Sequence, residues 1–179
     1  MSDESTNGKI LPLIARESVA SRFGNGAPQT NPEPTGYLGR RAGVFVTIKT
    51  HDGYLRGCRG TIQPRYANVI EETRKLAQSS AFNDDRFAPV VHSELDKLTY
   101  EVSVLHEPEP ARALNEFDPT RYGIIVQAND GRRALMLPNV EGLDTVEKQF
   151  NANCRKGDID PKEAVTLERF QVDKFTEPK

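Results

Sequence analysis

The chain is 179 residues long, enough for one ordinary domain or two small lobes, and its 24 Lys and Arg against 26 Asp and Glu leave a net charge of −2. That near-balance argues against a strongly basic nucleic-acid binder and against an acidic disordered tail. No apolar run approaches the roughly 18 residues that span a bilayer, and the first residues carry no basic segment followed by an apolar one, so a secretory signal is not expected.

The first predicted element is a helix over about Ile10–Phe23, because Leu11, Ala15, Val19 and Phe23 recur every four residues, with Gly24 as its stop. Residues 24–43 hold five glycines and three prolines and keep no period, which reads as a surface linker. Val44–Thr50 and Tyr54–Ile62 form a strand pair around His51-Asp52-Gly53. A helix follows over about Ala67–Ser80, with Asn68 and Glu71 spaced for a cap. Residues 81–91 read as a charged loop whose Phe82 and Phe87 pin it to a core. A turn over 93–98 leads into a half-buried strand, Thr99–Leu105, ended by His106 and the prolines at 108 and 110. A second hairpin joins Gly123–Gln127 to Arg132–Leu137 through Asp130-Gly131. A helix over about Thr145–Lys156 places Val146, Phe150, Asn153 and Cys154 on one face before Gly157. Leu167–Phe175 reads as a single closing strand. Hairpins and helices in mixed order indicate an α+β fold rather than a βαβ series.

The two cysteines, Cys58 and Cys154, form no Cys-x-x-Cys, which points away from a disulfide scaffold or zinc cluster and towards a reducing cytoplasm. No metal site and no cofactor are expected. Cys154, on an apolar helix face, reads as a core thiol. Cys58 lies in the unusual stretch Leu55-Arg56-Gly57-Cys58-Arg59-Gly60-Thr61. Glycines inside a strand mark a bulge or a close approach. Strand alternation puts Arg56, Cys58 and Gly60 on one face. Three readings stand for Cys58: a reactive thiol or ligand whose pKa a neighbouring guanidinium lowers, an inert packed thiol, or part of an anion cradle of glycine amides and arginines. The histidines at 51, 92 and 106 are not paired with it by spacing. Asp84 and Arg86 in Asn83-Asp84-Asp85-Arg86-Phe87 are placed to bond each other, cap the turn or reach back to the glycine hairpin.

With these segments in order, the chain resembles the AMMECR-type domain family, also called AmmeMemoRadiSam system protein A. The resemblance rests on Gly43–Thr47, the Leu-Arg-Gly-Cys-x-Gly signature at 55–60, Ala81-Phe82, Asp84, Arg86-Phe87, Pro89, Tyr100–Leu105, Leu137-Pro138 and Arg169-Phe170, and it spans nearly the whole of residues 1–179 as one domain. It implies an α+β fold with a larger and a smaller lobe, mixed or antiparallel sheet, and the signature strand lining a cleft between them. It also implies association with Memo-like and radical S-adenosylmethionine proteins. Two departures stand out: Arg59 where the family usually has an apolar residue, and Asp85 where it tends to have proline.

Two function classes follow. One is an accessory or substrate-binding component. The other is an enzyme using Cys58 as nucleophile or redox thiol on a small anionic substrate, with Arg56, Gly57, Arg59, Gly60, Thr61, Asp84 and Arg86 as candidate ligand-binding residues. Nucleic-acid binding through Arg40, Arg41, Arg56, Arg59 and Arg65 ranks behind both, given the net charge.

Overall fold

A computed structural model describes residues 8–24 and 29–177. The chain divides into two compact units, one of residues 1–104 with 173–179 and one of residues 105–172. The fold is α+β, with a four-stranded sheet in each unit.

In the first unit, α1 (Leu11–Ala20) starts with Pro12 in its first turn and buries Leu11, Ile14, Ala15 and Val19. It tightens into a 3-10 turn over Ser21–Phe23 and stops at Gly24, whose φ of 81° suits glycine. The expected linker is in part a correction: α2 (Gly36–Gly39) sends Tyr37 and Leu38 into the core. Tyr37 also donates from its hydroxyl to Asp173 at 2.8 Å. Apolar side chains outweighed the glycines there, while residues 25–28 of that stretch lie outside the described residues.

The sheet order is β2-β1-β3-β8. β1 (Val44–Thr50) and β2 (Leu55–Gly60) turn at Gly53, with φ 88°. β3 (Leu98–Leu105) pairs antiparallel with the other edge of β1. Val44, Val46, Ile48, Tyr100, Val102 and Val104 form one buried face; α3 (Val69–Phe82) packs on β1 and β2, and α1 packs on α3. Asn68 caps α3 by accepting from the Glu71 amide at 3.0 Å.

In the second unit, the order is β4-β7-β5-β6. β4 (Glu109–Ala111) falls where prolines at 108 and 110 hid a strand, and proline is tolerated because β4 is an edge. β5 (Gly123–Ala128) and β6 (Arg133–Met136) form the expected second hairpin. α4 (Val146–Lys156) buries Phe150 and Cys154, and Gly157 follows it. The left-handed residue there is Asp158, φ 53°, and Gly157 is required instead because a Cβ would meet that of Ala134 at 2.9 Å. The single closing strand is corrected to two, β7 (Val165–Phe170) and β8 (Val172–Thr176), which belong to different sheets. Apolar periodicity does not report which sheet a strand joins.

Candidate functional site

The signature strand is held from two sides. Gly57 lets the last turn of α3 lie directly on β2, since a Cβ at Gly57 would sit 2.1 Å from the Ser80 carbonyl oxygen. A Cβ at Gly60 would strike the Phe45 ring at 2.2 Å. Both glycines are therefore packing positions. Ser80 also enters the strand ladder: its hydroxyl accepts from the Arg59 amide and donates to the Val46 carbonyl, each at 2.8 Å, across the register pair Val46 and Arg59.

Arg56 is the residue that breaks the register. β1 pairs Ile48 with Gly57 and then Lys49 with Leu55, so Arg56 is the extra residue of a bulge. Alternation stops there, and the expected row of Arg56, Cys58 and Gly60 on one face is not continuous. The Arg56 guanidinium instead makes a paired contact with Glu94, at 2.7 and 3.0 Å. That contact, set against partial burial, holds the Glu94 carboxyl below its ordinary range.

Cys58 pairs with Thr47, and Thr61 N–H bonds the Val44 carbonyl at 2.9 Å. By the antiparallel pattern, the backbone groups of Cys58 then point away from β1. The Asp84–Arg86 pair meets them. Asp84 Oδ2 accepts from the Cys58 amide at 2.8 Å, and Arg86 Nη2 lies 3.4 Å from the Cys58 carbonyl oxygen. Arg86 grips Asp84 with two bonds of 2.9 and 2.7 Å. The loop is short and closed, with Val90 N–H bonding the Ala81 carbonyl at 2.9 Å. The Asp84 side chain is only 5% exposed against 57% for Arg86. The Arg86 guanidinium holds the Asp84 carboxyl far below the usual carboxylate range against the opposing effect of burial, with the Cys58 amide adding to it. The pair thus reaches back to the glycine hairpin while bonding itself.

The Cys58 side chain is half-buried, and its Sγ lies 3.4 Å from Thr47 Oγ1. Both cysteines are free thiols, and burial pushes that of Cys154 up. Among the described residues, no group of three or more His, Cys, Asp or Glu is placed to hold a metal ion, and no helix is long and apolar enough to cross a membrane.

The other candidates are drawn elsewhere. Thr61 donates to Glu72 at 2.6 Å. Glu72 is fully buried and accepts from the Arg65 and Tyr66 amides at 2.9 and 2.8 Å. Arg59 contacts the Asn83 carbonyl and lies 3.2 Å from Asp85. Arg59 and Asp85, the two departures that the resemblance implies, are therefore partners of one another. Arg40 is paired with Asp173. The structure brings Cys58, Asp84 and Arg86 together, with Arg59 of β2 bonded to the same loop, and sends Arg56 and Thr61 to separate acids.

Thr47, Ser80, Glu72 and Glu94 were not singled out from the sequence. Thr47 has a signal in the hairpin, but counting back from Gly53 without the bulge pairs it with Gly57. Ser80 and Glu94 depend on tertiary packing that leaves no local pattern.

The AMMECR1 family model matches residues 13–175. A Thermotoga maritima protein is 41% identical over 155 residues, covering 86% of this chain and 88% of its own length. Clostridium acetobutylicum protein CA_C1420 is 43% identical over 137 residues, which is 76% of this chain but only 29% of that protein. The crystal structure of the uncharacterised protein PH0010 from Pyrococcus horikoshii superposes with a TM-score of 0.86 at 30% identity, covering 99% of this chain and 93% of the other.

Proposed function

The chain belongs to the AMMECR1 family, and on that premise we propose that it is an accessory or substrate-binding component working with Memo-like and radical S-adenosylmethionine proteins, with the β2 signature as its contact surface. The observation supporting this reading is the two-sided clamp on Cys58. Asp84 and Arg86 hold its backbone from the strand edge while its thiol stays half-buried beside a hydroxyl. A threonine hydroxyl is no general base at neutral pH, so this contact favours rigid presentation over proton transfer. Co-purification tests it. A tagged wild-type chain is expected to retain a Memo-like or radical protein from the same genome, and Asp84→Ala to lose it. Recovery of neither by the wild type counts against the reading.

A second reading, Cys58 as a nucleophile or redox thiol on a small anionic substrate, is favoured by the free thiol. Arg86, more than half exposed, is the guanidinium best placed to exchange its internal partner for a substrate anion. Iodoacetamide labelling against pH separates the readings. An activated thiol reacts well below the ordinary thiol range, near pH 8.5, and an accessory chain shows an ordinary profile.

A further inference from the structure

A groove of about 1250 Å³ opens in the first unit at the turn end of the β1–β2 hairpin, lined by none of the signature residues. Its volume exceeds the roughly 300–1,000 Å³ of a drug-sized ligand site, so an occupant would leave part of it open to water. Its two walls differ in chemistry. Ile10, just before α1, and Pro12 and Leu13 of its first turn form one wall, joined by Leu38, and Leu13 is 43% exposed. Lys49 and His51 come from the end of β1 and its turn, and Lys9 precedes α1.

The charges do not cancel. Among the described residues the acid in the lining is Glu177, and Arg16 holds it at 2.6 Å. Lys49 has only a loose contact, 3.7 Å, with Glu101, which Lys174 approaches more closely at 3.2 Å. The described lining therefore presents excess positive charge opposite an apolar wall.

The backbone along the turn is already satisfied. Thr50 N–H bonds Tyr54, His51 N–H bonds Lys97 and Gly53 N–H bonds Thr50, at 2.9, 3.0 and 2.8 Å. Little ladder is left along that turn for an extended peptide, so recognition there falls to side-chain charge and apolar contact. We propose that this groove binds a medium-chain carboxylate, its chain along Ile10, Pro12, Leu13 and Leu38 and its carboxylate towards Lys49, His51 and Lys9.

The probe is decanoate below its micelle concentration, compared with decanol and acetate, by calorimetry and methyl NMR on the full chain. Decanoate is expected to saturate, shifting the methyls of Leu13 and Leu38. Decanol should bind roughly tenfold more weakly and acetate not measurably. Placing acids at both exposed positions, Lys49→Glu with His51→Glu, should weaken decanoate about tenfold and leave decanol unchanged. Leu13→Asp, also at the surface, should weaken both. Equal binding of decanol and decanoate, indifference of decanoate to the added acids, shifts located elsewhere, or no saturation overturns the proposal. None of these outcomes bears on Cys58, so the groove and the signature strand fail or stand separately.

Discussion

At Asp84 a single carboxylate joins a strand backbone, a guanidinium and a turn. Replacing it with asparagine keeps the shape and removes the charge. We expect Asp84→Asn to lower unfolding stability by about 2 kcal/mol, read from urea midpoints, because charge-assisted bonds at a buried acceptor are lost. The pH dependence has a definite sign. The folded-state pKa is depressed from an ordinary 3.8, so the carboxylate's contribution is complete above that value. It is lost as pH falls through and below it. Wild type should therefore lose stability over that acid range more steeply than Asp84→Asn. Glu72 behaves as a second anchor. Its carboxylate receives one hydroxyl and two amides in a fully buried site. Glu72→Ala leaves these donors unpaired and should cost about 3 kcal/mol in the same assay, with faster amide exchange at Arg65 and Tyr66. By contrast, the Arg59–Asp85 pair involves a side chain 95% exposed. A double-mutant cycle there should return only the small coupling of a surface ion pair.

At the scale of elements, the contact of α3 with β2 decides where the 83–87 loop hangs. Gly57 permits that contact. Gly57→Ala would drive a Cβ into the Ser80 carbonyl, and two backbones must separate to admit it. A loss of about 1–3 kcal/mol is expected in thermal or urea unfolding, with weaker amide protection at Arg59, whose bond partner is Ser80 Oγ. The same element shows what a sequence can disclose. Glycines within a strand, the Asn68 cap and the apolar stripe of α3 are local signals, and each has its counterpart in the structure. The pairing of Asp84 with Arg86 was legible because the two stand two residues apart. Arg56 was not, because one extra residue in a bulge redirects a strand and nothing nearby announces Glu94, 38 residues on. Tyr37 escaped for a different reason. Glycines and prolines dominate its neighbourhood, and its partner Asp173 lies 136 residues away.

At the scale of the whole molecule, each unit has its own apolar core, one around Ile48, Val102 and Val104 and the other around Ile124, Val126 and Phe150. The chain passes from one unit to the other near 104–105 and returns near 172–173. Phe150→Ala should remove about 3 kcal/mol from the second core. Hydrogen exchange is expected to speed first at Ile124 and Val126, with Ile48 and Val102 still protected; simultaneous loss at both would show a single cooperative unit. The clamp on Cys58 has a consequence at this scale too. β2 ends its sheet, and an unpaired strand border invites another chain to continue it. By occupying the outward amide and approaching the outward carbonyl of Cys58, Asp84 and Arg86 deny that border to a neighbour. Loss of Asp84 should accordingly show itself in light scattering, as self-association that grows with protein concentration.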